Sequence, residues 1–192
     1  TSSYSNSSSE DVLVHQMSAT LASPKHDADE HIYHMGCRNE GCTLHKYVAD
    51  KAGNIVVTKD ANNKFVAAED LTLADGEDFK DYEAFTSKTI SYSRNIPEGA
   101  AWGTLCVPFA IDLSQEAECD FYRLTGIDAA KECITIESCE EGVIPAGTPV
   151  LFKMKEGETV LSLSAVGADI ATAPLSGNRT DVNLVGSFVQ IS

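Results

Sequence analysis

Trp102-Gly103-Thr104-Leu105-Cys106-Val107-Pro108-Phe109 is the stretch on which the fold turns. Leu105, Val107 and Phe109 alternate with Thr104, Cys106 and Pro108, the period of two that sends one set of side chains into a core and the other outward. The pattern predicts a central strand over 102–113. Its neighbours in sequence repeat the theme. Extended segments are predicted over 89–96, 119–127, 131–138, 150–154, 160–166 and 181–191, separated by turn formers such as Pro97-Glu98-Gly99, Pro145-Ala146-Gly147 and Glu156-Gly157-Glu158. Short strands at regular spacing with Gly and Pro between them are the signature of an antiparallel sandwich or barrel, and no alternation of strand with helix appears. The expected fold is therefore mainly β, an antiparallel β-sandwich with a small N-terminal appendage containing Cys and His.

Working back toward the N terminus, smaller hairpins are expected over 54–59 and 64–67, with Gly53 and Asn62-Asn63 as turns. Asp75-Gly76-Glu77-Asp78 gathers carboxylates but lacks the Asp-x-Asp-x-Asp-Gly ladder of a calcium loop, so it reads as a solvated turn. Phe79, Tyr82 and Phe85 follow at a spacing that suits core packing or a single helical turn. Residues 1–30 open on a Ser-rich stretch too polar to offset the entropy of ordering, and read as a leader and linker. The expected domains are thus 1–30 as leader, 31–88 as a Cys/His-containing β and turn region, and 89–192 as the sandwich.

The one cluster with ligand chemistry is His31-Ile32-Tyr33-His34-Met35-Gly36-Cys37, continuing to Cys42 and His45. Thiolate and imidazole are the donors zinc prefers, and His34, Cys37, Cys42 and His45 would make a four-coordinate set. Structural zinc sites draw ligand pairs from separate turns, whereas these residues lie in one stretch, so a local Cys37–Cys42 disulfide competes with the metal. No cofactor is expected, zinc being the one metal the cluster would take. Six cysteines in all fit an oxidising compartment, with connectivity open.

Charge narrows the partners. With 14 basic and 29 acidic residues the net charge is −15, which argues against nucleic acid and against anionic membrane surfaces. No apolar run approaches the length of a membrane span, so membrane insertion is not expected. Nor does any segment carry a catalytic signature. Cys106 has no local partner motif, every histidine precedes residue 46, and the glycine-containing segments form neither a nucleophile elbow nor a phosphate loop. Tyr92, Trp102 and Tyr122 are the aromatic candidates for ligand binding, and core packing competes for each of them.

Taken in order, Leu71-x-Leu73-x-Asp75-Gly76, Ile90 to Arg94, Trp102 to Phe109, Ala146 to Phe152 and Asn183 to Phe188 resemble the β-rich modules of large secreted and cell-surface proteins of gut and oral Bacteroidetes. Those adhesin-like modules often accompany leucine-rich repeats, and the paired-Cys stretch from His31 to Cys42 resembles the short insert that precedes them. The resemblance spans residues 31–192. It implies an extracellular or cell-surface location and a non-catalytic role in adhesion, ligand recognition or assembly, with a protein or glycan as partner and no known catalytic set. A structural zinc module and a glycan-acting enzyme or carbohydrate-binding domain are the alternatives. Ending at Ser192, the sandwich would have an edge at its C-terminal side that another chain could complete by strand addition.

Overall fold

The computed structural model describes residues 16, 25–26, 32–33, 35–50, 54–80, 83–175, 184 and 186–188. Among them there is no α-helix, and the fold is mainly β. The chain divides into two compact units, Thr1–Tyr47 and Val48–Ser192.

In the first unit, β1 (Lys25–His26) pairs antiparallel with β2 (Ile32–Tyr33). A hairpin follows, in which β3 (Met35–Gly36) meets the start of β4 (His45–Val48) with Gly36 opposite His45. Its loop is closed by Cys37 N–H donating to Leu44 O at 2.8 Å and by Cys42 N–H donating to Asn39 O at 3.1 Å.

The second unit begins with β5 (Val56–Lys59), β6 (Phe65–Ala67), β7 (Leu71–Ala74), β8 (Phe85–Thr86) and β9 (Thr89–Asn95). Then come β10 (Trp102–Leu105), β11 (Ile111–Asp112), β12 (Cys119–Asp128) and β13 (Cys133–Cys139). It closes with β14 (Val143–Ile144), β15 (Val150–Met154), β16 (Val160–Val166) and β17 (Asp169–Ile170). A four-stranded antiparallel sheet runs β10-β15-β12-β13, and a three-stranded sheet runs β16-β9-β7. A further ladder joins β17, β8, β6 and β5, and β11 pairs with β14.

Two pairings depart from the all-antiparallel expectation: β7 lies parallel to β9, and β6 parallel to β8. Parallel neighbours need a crossover of about a dozen residues or more, and residues 75–88 supply one between β7 and β9. No periodicity within either strand could announce this. The sheets are mixed and antiparallel, and none of them closes into a barrel.

The central segment, expected as one strand over 102–113, is instead interrupted. Regular pairing stops at Leu105 and resumes at Ile111, because Pro108 has no N–H to give a ladder. Val107, Pro108 and Phe109 are nonetheless buried, and their carbonyls are used elsewhere: Val107 O accepts from Gly147 N–H and Pro108 O from Ala171 N–H, both at 2.8 Å. Of the C-terminal strand expected over 181–191, Leu184, Gly186, Ser187 and Phe188 lie outside any strand and the remainder falls outside the described residues.

The core is built by parity. On the four-stranded sheet Leu105, Cys119, Phe121, Val150, Phe152 and Met154 all face inward and all are buried. Gly103 belongs to the same row, opposite Phe152, and a Cβ there would stand 2.5 Å from the ring's Cζ. The missing side chain is the room the ring occupies. On the three-stranded sheet Ile90 and Tyr92 share a face with Leu161 and Leu163. Fully burying each large apolar side chain contributes about 1.5–3 kcal/mol.

Candidate functional site

The outer face of the four-stranded sheet carries the exposed aromatic chemistry. Trp102 stands opposite Lys153, and Lys153 opposite Asp120, while Thr104, Leu151, Tyr122 and Ser138 make the next row across the four strands. These residues are one step out of phase with Gly103, Phe152 and Phe121, so they point away from the core. Trp102 is 48% exposed. Its ring lies 5.1 Å from that of Tyr122, tilted by 48°, and Lys153 Nζ sits 5.5 Å from the Trp102 centroid. The two rings lean toward each other over β15, and the ammonium over Trp102 adds about 0.5–1 kcal/mol at an exposed position.

An apolar stripe extends this face along the β12–β13 hairpin. Leu124 pairs with Ile136, and after a bulge Ile127 pairs with Ile134. The extra residue, Thr125, restores phase: without it Ile127 would point to the opposite side from Leu124. Ile127 and Ile134 are 57% and 55% exposed.

A second feature is a cleft of about 670 Å³ whose walls include Thr72–Phe79, Tyr92, Arg94, Thr104–Pro108 and Phe188. Tyr92 is buried, and its hydroxyl donates to Asp75 Oδ1 at 2.6 Å. Arg94 Nε lies 3.6 Å from Asp75 Oδ2, and its Nη1 donates to Thr104 O at 3.2 Å. Burial, first, and then the Asp75 carboxylate it is bonded to hold the Tyr92 hydroxyl well above the usual phenol range. Phe79 and Phe188 meet edge to face at 6.3 Å, and Phe79 N–H donates to Phe188 O at 2.7 Å, tying the 188 region to the cleft wall. Of the helically spaced aromatics, Phe79 and Phe85 therefore both serve packing, and Tyr82 lies outside the described residues.

A smaller hollow of about 390 Å³ is bordered by Glu116, Cys119, Tyr122 and Cys139. Burial pushes the Glu116 carboxyl up to about 7, with the Glu118 and Asp112 carboxylates adding to the effect. Sequence reasoning did not single out this group. The apolar Leu113 and Cys119 on either side were the signal available.

The Cys/His stretch is only partly visible. His31 and His34 lie outside the described residues. Cys37 and Cys42 are close but not at disulfide distance, and their thiols are hydrogen-bonded, which raises the Cys42 thiol's pKa. Among the described residues no two cysteines are joined by a disulfide. His45 Nδ1 lies 3.1 Å from Thr43 O, which can only accept, so this nitrogen carries the proton and Nε2 accepts from the Tyr47 hydroxyl at 3.1 Å. Both ring nitrogens are thus engaged. Among the described residues no three His, Cys, Asp or Glu side chains group as a metal site.

Of the aromatic candidates, Trp102 and Tyr122 come together on one surface, and Tyr92 lies apart from them in the cleft. Among the described residues no helix is long and apolar enough to cross a membrane. No family model, curated protein or solved structure matches this chain.

Proposed function

We propose that this chain is a non-catalytic recognition module of a secreted or cell-surface, adhesin-like protein, and that the Trp102–Tyr122 face binds a glycan. The observation that carries the reading is the half-exposed Trp102 ring held against Tyr122 on an outward sheet face. An aromatic face offers the C–H side of a sugar ring a flat apolar support, and a polar handle beside it fixes orientation. Lys153, Asp120, Thr104 and Ser138 supply donors and acceptors around the two rings.

A two-layer sandwich underlies the module in this reading. Its support is the Arg94 guanidinium of β9, which lies 6.0 Å from the ring centroid of Phe152 on β15, a strand of the other sheet. A recognition role also suits the thiols. Burial pushes Cys106 up to about 11 and raises Cys119 and Cys139, the opposite of the lowered pKa a cysteine nucleophile needs.

Trp102 is the single tryptophan of the chain, so its fluorescence reports on the face directly. Titration with defined soluble xylo-, cello- and manno-oligosaccharides is expected to shift and quench the emission for at least one series. Trp102→Ala should weaken binding of that series at least tenfold by calorimetry while leaving the melting temperature in place. Emission unchanged across all three series would overturn the glycan assignment.

A further inference from the structure

The β13 strand sits at the margin of its sheet, and among the described residues nothing pairs with its outer side. Open edges in natural sheets are commonly blunted by charged side chains, Pro or a bulge on the edge strand. Cys133-Ile134-Thr135-Ile136-Glu137-Ser138-Cys139 has no Lys or Pro, the bulge lies on β12, and Glu137 is its single charge. Its sequence has a symmetry that bears on what covers it. The two cysteines are equidistant from Ile136 and, by alternation, share one face with Thr135 and Glu137.

From this we infer that the chain self-associates by antiparallel pairing of β13 with β13 of a second copy, centred on Ile136. In that register Cys133 stands opposite Cys139 of the partner subunit, twice, on the same face of the joined sheet. Thr135 meets Glu137 of the partner subunit, so no like charges are opposed despite the net charge of −15. On the other face the half-buried Ile136 meets Ile136 of the partner subunit at the two-fold axis, and the exposed Ile134 stands opposite Ser138 of the partner subunit. The axis is perpendicular to the sheet, so the two Trp102 faces look the same way.

Directly opposed residues of an antiparallel pair have Cα atoms about 4.5 or 5.5 Å apart, and both values fall in the range a disulfide spans. Each bridge forms when a Cys133 thiolate attacks an external low-molecular-weight disulfide such as oxidised glutathione, releasing one thiol. The thiolate of Cys139 of the partner subunit then displaces the second thiol, so the two electrons and two protons lost by the cysteine pair end on the glutathione. Within one chain the two cysteines lie about 20 Å apart along an extended strand, far beyond bridging distance. A Cys133–Cys139 link is therefore intermolecular wherever it is found.

The test uses the full chain in a glutathione redox buffer. A covalent dimer is expected on a non-reducing gel, and cleavage after Glu132 and Glu137 should yield the Cys133 and Cys139 peptides joined by a disulfide. In reducing buffer, sedimentation equilibrium should show a dimer that Thr135→Glu weakens by about tenfold and Thr135→Lys tightens, since each change acts at two opposed pairs. The same exchanges at Thr172, a threonine exposed outside any strand, should leave association unchanged. A monomer under both conditions, a bridge from Cys139 to Cys119 instead, or equal dissociation constants for the two Thr135 variants would overturn the inference. None of these readouts depends on glycan binding.

Discussion

Trp102 and Phe152 are aromatic residues on adjacent strands of one sheet, a single step out of phase, and they meet opposite fates. Phe152 is fully buried with Gly103 making room for its ring, and Trp102 on the neighbouring position stands half in solvent beside Lys153. Side-chain volume and hydropathy do not separate them; strand parity does. The inner face of the sheet is committed to stability. The outer face keeps an apolar surface that the core does not use, and a surface of that kind is where binding is expected.

The largest expected effect tests the inner face. Phe152→Ala removes a ring that touches β10 and β12 at once and leaves a cavity beneath Gly103, and the loss should be about 3–5 kcal/mol by denaturant titration. Trp102→Ala, an outward truncation away from the core that removes only the Tyr122 and Lys153 contacts, is the matched control, and its effect on stability should stay within about 1 kcal/mol. Comparable losses for the two would erase the distinction between the faces.

A smaller effect is expected in the cleft, where an aromatic residue is buried but keeps a polar task. Tyr92→Phe preserves the ring packing and deletes the hydroxyl that donates to Asp75. Hydrogen bonds to charged groups are worth about 1.5–3 kcal/mol, and Asp75 retains Arg94 and solvent, so the loss should be about 1.5 kcal/mol. A change as small as that of Trp102→Ala would mean that the Tyr92–Asp75 bond is exchanged freely with water.

Much of this architecture was legible because it depends on local pattern. Segments 150–154 and 160–166 were readable as strands from alternation alone, whereas the strand expected over 102–113 is broken around Pro108, whose missing N–H alternation does not register. What could not be read depends on partners distant in sequence. The parallel pairing of β7 with β9 arises from the path of residues 75–88, and the side to which Trp102 points is fixed by its register with Lys153. The Trp102–Tyr122 pair joins two strands through a third, so neither residue's neighbours in sequence announce it. The Cys/His cluster was legible in residue type alone: His31 and His34 lie outside the described residues, and His45 is hydrogen-bonded to Thr43 and Tyr47.

The smallest expected effect lies at the sheet's end, at Glu116. Its carboxyl is held at about 7 in the folded chain, by burial first and then by Glu118 and Asp112, against an ordinary value of 4.5. The folded state therefore binds this proton more tightly than the unfolded state does. Stability from this group is complete below about pH 4.5 and declines as pH rises through 7, because the native carboxyl must then ionise where water solvates it poorly. Solvent screening at a half-buried position holds the total below about 1 kcal/mol. Asp60 and Asp128, both lowered by hydrogen bonds to backbone N–H or lysine, act with the opposite sign but titrate at more acid pH. Chemical denaturation at pH 5 and pH 8 should show the wild-type chain losing stability over that interval and Glu116→Gln losing less, with the variant the more stable of the two at pH 8. If the two chains share one pH profile, the Glu116 carboxyl is solvated as fully as the outer-face residues, and the boundary between the two faces lies deeper in the sheet than Cys119.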